Sequence, residues 1–377
     1  MEKTDPIRIL SVIGTRPEAV KMAPVIKLLA TSPKIQAFTC VTAQHREMLD
    51  QVLNLFEIKP DIDLDLMKPN QSLAQITAAI FTNLDPVLRD VKPDWILAQG
   101  DTTTVMATAL LAYYNQIKFG HVEAGLRTGD KFQPFPEEVN RRVAGVVSDL
   151  HFAPTEWSKL NLLKENIPNE QIIVTGNTVI DALYQVANKP VPTEISRLME
   201  RVADSQLLLV TAHRRENFGV PLENICAALQ SLVETYGNRI HIVYPVHLNP
   251  NVQNVVYPRL KHLSANITLI PPLDYLPMIH LMKASYLVLT DSGGLQEEAP
   301  GLGIPVLVMR ATTERPEGIS AGTVRLVGTE SADIIRETRI LLDNPEEYGK
   351  MAHSVNPYGD GHASERILNG ILAYSSR

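Results

Sequence analysis

The stretch IRILSVIGTRPEAVKMAPVIKLLA, residues 7–30, decides the fold. Ile7–Ile13 is apolar and rich in β-branched residues, the pattern of a short buried strand. Gly14 then permits a tight turn, Thr15-x-x-Glu18 has the form of a capping box, and Pro17 suits the first turn of a helix running to about Leu29. The next apolar run, Phe38–Ala43, follows at the spacing of a βαβ unit, which implies a parallel sheet with helices on its faces.

Working outward, the same alternation fills the chain. In the first half, strands are expected at Trp95–Gln99, Lys118–Val122, Leu150–Ala153 and Ile172–Val174, with helices near Glu47–Phe56, Leu73–Val91, Thr104–Tyr114, Glu138–Val147, Glu156–Glu165 and Val179–Ala187. The two prolines of NKPVPT, residues 188–193, mark a linker. The pattern then restarts with strands at Leu207–Thr211, Ile240–Pro245, Ile267–Ile270, Leu287–Thr290, Val306–Val308 and Val324–Val327. Helices are expected between them near Leu222–Tyr236, Val252–Leu260 and Leu276–Lys283, and after them near Ser331–Leu342. The fold class is α/β, and 377 residues are enough for two domains.

Composition narrows the function by exclusion. The net charge of −7, from 35 Lys and Arg against 42 Asp and Glu, argues against a nucleic-acid footprint or a polybasic membrane patch. No apolar stretch approaches the roughly 18 residues of a membrane span, and the N-terminus enters a strand without a basic-then-apolar leader, so a cytoplasmic location is expected. The sequons at Asn70 and Asn266 are then chance matches. Cys40 and Cys226 sit far apart in apolar segments and read as buried thiols. No G-x-G-x-x-G, G-x-x-x-x-G-K-[ST], H-E-x-x-H, C-x-x-C or G-x-S-x-G occurs, so neither a nicotinamide cofactor, a P-loop, a metal site nor an α/β-hydrolase is expected.

In open α/β sheets ligands bind beyond the carboxyl ends of the strands, so residues that directly follow strands carry the chemistry. After the first strand, Arg16 and Lys21 place two cations by a helix N-terminus, a setting favourable to phosphate. After WILAQ comes GDTTT, where Asp101 stands as an N-cap or a catalytic acid. HVEAGLRTGDKFQPFPEEVNRR, residues 121–142, crowds carboxylates and guanidiniums behind a strand, and its prolines delay the helix until Glu137, so that Glu123 and Glu137 can face one pocket. In the second half, AHRREN puts His213, Arg214 and Glu216 after a strand, more charge than capping requires. In TDSGGLQEEAPGLG, Ser292, Gly293 and Gly294 open the backbone to a diphosphate at a helix start, and Glu298 one turn on is placed for a sugar hydroxyl.

GTRPEAVKMAP, AQHREML, GDTTT, HVEAGLRTGD with PFPEEVNRR, AHRREN, DSGGLQEEAP, ERPEG with AGTVRLVGT, and NPYGDGHASERI together resemble, in order and spacing, the non-hydrolysing UDP-N-acetylglucosamine 2-epimerases. Two positions depart from the family pattern: Asn70 stands where glycine is frequent, and Gly318 where a larger residue is usual. The resemblance implies two Rossmann-like doubly wound domains in the GT-B-like glycosyltransferase architecture, residues 1–176 and 177–361, with an active site in the interdomain cleft. It also implies a C-terminal helix, 362–377, that returns to the first domain, and a homodimer.

The implied reaction inverts C2 of UDP-N-acetylglucosamine to give UDP-N-acetylmannosamine for cell-surface polysaccharide, with no cofactor. The proton at C2 lies beside no carbonyl, so direct deprotonation fails. The family route loses UDP with that proton, leaving 2-acetamidoglucal, and adds UDP back with a proton on the opposite face. By residue-level carry-over, Asp101, Glu123 and Glu137 are the acid/base candidates. Arg16, Lys21 and His213 serve the diphosphate or proton transfer, and Ser292, Gly293, Gly294 and Glu298 hold phosphates and ribose. Gln44, His45, Gln71, Glu138, Arg214 and His247 match positions that bind a second, activating UDP-GlcNAc. A glycosyltransferase, a non-catalytic sugar-nucleotide sensor and a hydrolysing relative are the competing readings, and the carboxylate set disfavours the first two.

Overall fold

The computed structural model describes residues 5–42, 46–68 and 70–375, with Arg46 described by its backbone alone. It divides into two compact units, one formed by residues 1–182 and 359–377 and the other by 183–358.

The first unit contains β1 (Ile7–Ile13), α1 (Arg16–Thr31), β2 (Ile35–Val41), α2 (Arg46–Leu55), β3 (Ile62–Asp63), α3 (Leu73–Val91), β4 (Trp95–Gln99) and α4 (Thr103–Tyr114). It continues with β5 (Lys118–Val122), α5 (Glu137–Val147), β6 (Leu150–Ala153), α6 (Glu156–Lys164), β7 (Ile172–Val174) and the start of α7 (Thr178–Ala187). The strands form one parallel sheet in the order β3-β2-β1-β4-β5-β6-β7. Helices cover both faces, and Ile9, Leu10, Val12 and Ile13 of β1 are fully buried, as an unbroken apolar run requires.

The second unit contains α8 (Thr193–Arg201), β8 (Gln206–Thr211), α9 (Val220–Tyr236), β9 (Ile240–Pro245), α10 (Pro250–Leu260), β10 (Ile267–Ile270), α11 (Tyr275–Lys283) and β11 (Leu287–Thr290). After these come α12 (Gly293–Gly301), β12 (Val306–Val308), α13 (Pro316–Ala321), β13 (Val324–Leu326), α14 (Ser331–Asp343) and α15 (Pro345–Ala352). Its sheet runs β10-β9-β8-β11-β12-β13, the doubly wound order in which the chain starts centrally, moves to one edge and returns to build the other. Leu208, Val210, Leu229, Ile242, Tyr244 and Leu289 are among the residues of its closed core.

A last helix, α16 (Ala363–Ser375), belongs to the first unit. Asp181 of α7 accepts from the backbone N–H groups of Ala363 (3.2 Å) and Ser364 (2.8 Å) and so caps it. At its other end Tyr374 meets Trp95 edge to face at 5.2 Å.

Three local expectations change. β2 begins at Ile35 and not Phe38, because β1 pairs with it in unbroken register from Ile7↔Ile35 to Ile13↔Val41. Thr15 forms no capping box: its hydroxyl donates to Glu18 (3.0 Å) and accepts nothing from the helix backbone, and Glu18 takes the N–H of Gly14 rather than that of Thr15. Segment 188–193 is a short joint, since α8 starts at Thr193, and the break between the units falls inside α7, later than 176/177.

Candidate functional site

In each sheet the winding reverses between two central strands, β1 and β4 in the first and β8 and β11 in the second, and in open α/β sheets ligands bind at the carboxyl ends of such strands. The residues that follow those strands are Gly14–Arg16 and Gly100–Thr102 in the first unit, and Ala212–Asn217 and Asp291–Gly294 in the second. Arg16, Asp101, His213, Arg214, Ser292, Gly293 and Gly294 stand at these four turns, whereas Glu123 follows β5 and Glu137 opens α5.

In the first unit Glu123 follows β5 with a left-handed φ of 64° and is 8% exposed. Three donors converge on its carboxylate: Lys21 Nζ at 2.5 Å, Asn177 Nδ2 at 2.8 Å, and Gln99 Nε2. A strained backbone is retained where the surroundings over-determine it, and this one aims a side chain held from three directions. Lys21, expected to bind phosphate, is thus drawn to Glu123. Arg16, half-buried, has no hydrogen bond or ion pair among the described residues.

Asp101 receives Arg141 Nη2 at 2.6 Å, and its carbonyl accepts from Asn140 Nδ2 at 2.9 Å, so α5 fixes the turn after β4. Capping of α4 falls to Thr102, whose hydroxyl accepts from the Val105 N–H, and Asp101 keeps its carboxylate for other work. Glu137 opens α5, half-buried and without a hydrogen bond or ion pair among the described residues. Arg141 of that helix reaches Asp101, which brings the first turn of α5 to the same edge of the sheet.

Beneath this cluster lie three buried titratable groups that the sequence did not single out as site residues. Glu18 accepts from the Gly14 N–H (2.6 Å) and the Thr15 hydroxyl, and faces Thr102. Burial, with a contribution from Asp101, pushes its carboxyl up to about 7. His121 donates from Nε2 to the Gly100 carbonyl at 2.7 Å and is pushed down to about 4 by burial. His151, with neither ring nitrogen hydrogen-bonded, is pushed down to about 3 for the same reason. The turn holding Asp101 therefore rests on a histidine, His121, that stays neutral at ordinary pH and on a carboxyl, Glu18, that changes charge near pH 7.

In the second unit α12 begins at Gly293, and Ser292, its N-cap, makes no side-chain cap bond. The first N–H groups of the helix are left for an anion. A Cβ added to Gly293 would lie 2.9 Å from Arg315 Nη1 and 3.5 Å from Arg214 Nη2, so two guanidiniums stand against this turn and the nearer would have to shift to admit a side chain. Arg315 was missed in the sequence; it is steered there by Glu297 and Glu314. Glu298, 9% exposed, accepts from the Tyr275 hydroxyl at 2.8 Å, which orients it one turn above the glycines.

His213 follows β8. Its ring stacks on His247, centroids 5.5 Å apart and planes 13° apart, and Nδ1 lies 3.4 Å from Oδ1 of the fully buried Asp291. Burial holds the His213 imidazole below its ordinary range, with His247 and Arg214 acting the same way and Asp291 and Glu216 against it.

The residues matched to a second ligand are scattered in role. Gln71 is tied to its own loop by the Lys68 N–H and the Leu66 carbonyl, at 2.8 and 3.1 Å. Asn70 beside it has a φ of 59°, a conformation open to asparagine as to the glycine frequent there. Glu138 is wholly buried, takes the N–H groups of Thr128 and Gly129, and pairs with Arg141 and Arg142. Gln44 and His45 lie outside the described residues. No group of His, Cys, Asp and Glu among the described residues is arranged to hold a metal ion.

Known proteins resemble this chain over nearly its whole length. The family pattern described as UDP-N-acetylglucosamine 2-epimerase matches residues 27–372. The UDP-N-acetylglucosamine 2-epimerase of Salmonella typhimurium is 54% identical over 374 residues, covering 98% of this chain and 99% of its own length. The crystal structure of the UDP-GlcNAc 2-epimerase of Neisseria meningitidis, solved bound to UDP-GlcNAc, is 52% identical with a TM-score of 0.88, over 97% of this chain and 100% of that one. A glycosyltransferase of Rickettsia africae, 13% identical with a TM-score of 0.60 over 97% of this chain and 94% of that one, shares the fold alone. The chain belongs to the family of non-hydrolysing UDP-N-acetylglucosamine 2-epimerases.

Proposed function

We propose that this protein interconverts UDP-N-acetylglucosamine and UDP-N-acetylmannosamine by eliminating and re-adding UDP. The observation that carries the reading is the carboxylate set of the first unit, in which Asp101, Glu123 and Glu137 follow β4, β5 and the proline loop, two of them held by named cations. In the forward direction a carboxylate takes the C2 proton, the electron pair of that C–H bond becomes the C1=C2 double bond, and the C1–O bond breaks to release UDP. Protonation of 2-acetamidoglucal at C2 from the other face, with UDP returning to C1, completes the inversion. Acid/base groups on both faces are needed, and Asp101, Glu123 and Glu137 supply them. Arg16, Ser292, Gly293, Gly294 and Arg315 stabilise the leaving diphosphate, Glu298 holds the ribose, and His213 serves proton transfer at the diphosphate.

The same reading takes the working protein to be a cytoplasmic homodimer feeding polysaccharide assembly. A second UDP-GlcNAc acts as activator through Gln44, His45, Gln71, Arg214 and His247, with Glu138 shaping the adjoining loop.

A proton NMR time course on the purified protein with UDP-GlcNAc alone tests the reaction. UDP-ManNAc signals are expected to grow to a constant ratio; free N-acetylmannosamine with UDP would mark hydrolysis, and an unchanged spectrum would mark a sensor. Asp101→Asn, Glu123→Gln and Glu137→Gln are each expected to slow turnover by roughly 10²-fold or more while UDP still binds in calorimetry.

A further inference from the structure

The segment after β8 is organised around one carboxylate that the reaction as described does not use. Asp291 is 0% exposed. Its Oδ2 accepts three hydrogen bonds, from the backbone N–H of His213 (2.8 Å), the backbone N–H of Arg214 (2.8 Å) and Asn217 Nδ2 (3.0 Å). Its Oδ1 is buried and has no hydrogen-bond partner among the described residues. The atom facing it is Nδ1 of the His213 ring at 3.4 Å, just beyond hydrogen-bond length. A buried carboxylate oxygen left unpaired is costly, and a small rotation of this ring pairs it.

We propose that Asp291 is the positioning residue for His213: it holds Nδ1 as the protonated nitrogen and so presents Nε2 as the basic one that exchanges protons at the substrate. The proposal rests on the role given to His213 above. Two independent features support it. The backbone bonds to Oδ2 lock the carboxylate beside the peptide that carries His213, so its register to the ring is fixed by the fold. On one face of the ring His247 stacks at 13°, a contact that an in-plane adjustment of the ring toward Asp291 preserves. The charged and titratable groups facing His213 are Asp291 from the turn after β11, His247 from the segment after β9, and Arg214 and Glu216 from its own segment. Of these, Asp291 and Glu216 favour the imidazolium. Asp291 alone does so from a wholly buried position at Nδ1, where the neutral ring donates to it.

The first test is made on the wild-type protein. Nitrogen-15 NMR of the His213 ring, assigned by its loss in His213→Asn, is expected to show Nδ1 protonated and Nε2 free in the neutral form. A ring protonated at Nε2 overturns the proposal.

The second test is kinetic. In Asp291→Asn the carboxamide oxygen can keep the three donors while its NH2 faces Nδ1, which imposes the opposite tautomer. Turnover is expected to fall by roughly 10²-fold with UDP affinity within about threefold, and the pH limb that belongs to His213 to move to lower pH. In a His213→Asn background, the same change is expected to cost no further turnover. An equal loss in both backgrounds, or loss of UDP binding in step with turnover, overturns the proposal in favour of a structural role. If His213→Asn itself leaves turnover intact, the role assigned to His213 fails, and the tautomer measurement still decides what Asp291 does to the ring.

Discussion

Glu18, His121 and His151 make pH a sensitive probe of this site. The folded Glu18 carboxyl titrates near 7 against 4.5 in the unfolded chain, so folding is favoured fully below 4.5 and loses that advantage as pH rises to 7. The histidines act in the opposite sense. Unfolded they take up a proton near 6.5, and folded they resist it to about 4 and about 3, so stability present above 6.5 is lost as pH falls. Between 4.5 and 6.5 two histidine slopes outweigh one carboxylate slope, and these three groups place their joint optimum near 6.5. Glu18→Gln is expected to gain on the wild type by up to roughly 3 kcal/mol on going from pH 5 to pH 8, and His151→Phe to gain on it at pH 4.5 relative to pH 7. Urea unfolding at those pH values measures both; parallel shifts at every pH would contradict the burial argument. Asp101, Glu123 and Glu137 stand out as candidates in the sequence because each follows a strand or a proline loop in a short charged motif. Asp291 does not, because what gives it meaning is a partner far along the chain, His213, 78 residues away, and Arg315 does not, because only the folded turn sets it against Gly293.

At the scale of elements, nearly every strand could be read as an apolar run, because strands covered on both faces admit little else. β3 was missed since two residues carry no period, and α8, TEISRLMER, because a polar helix behind a proline pair reads as linker. The turn from β11 into α12 was legible through its glycines, although only the structure shows why they are needed. Gly14 belongs to the same class: a Cβ there would meet Thr104 Oγ1 at 2.3 Å, so the β1 turn can approach α4 only without one. Gly293→Ala puts a methyl against the Arg315 and Arg214 guanidiniums. UDP affinity is expected to fall by roughly tenfold or more, about 1.4 kcal/mol or above, with little change in melting temperature because the arginine ends can move into solvent. Calorimetric titration with UDP, paired with a melt, checks this; unchanged affinity would remove the anion from α12.

On the scale of the whole molecule, the two sheets share one winding order, and the duplicated architecture could be inferred from the strand–helix alternation that restarts after residues 188–193. The place where the chain passes between units could not. It lies inside α7, in a helix that no sequence signal interrupts, and the chain returns through Gly359, whose φ of 135° and close approach to Gly176 suit only glycine. Regulation belongs to this scale. An activator works only by binding one conformation more tightly than another, so the reverse reaction from UDP-ManNAc alone is expected to lag until traces of UDP-GlcNAc are present. Equal initial rates with and without UDP-GlcNAc would remove the activator.

The central claim is that C2 loses its proton to a protein carboxylate while UDP departs and returns. Running the reaction from UDP-GlcNAc in deuterium oxide and reading C2 of the UDP-ManNAc formed tests it most directly. Deuterium is expected at C2 of essentially all product, with a small pool of 2-acetamidoglucal and UDP at long times. Product that keeps its original proton at C2 would contradict it.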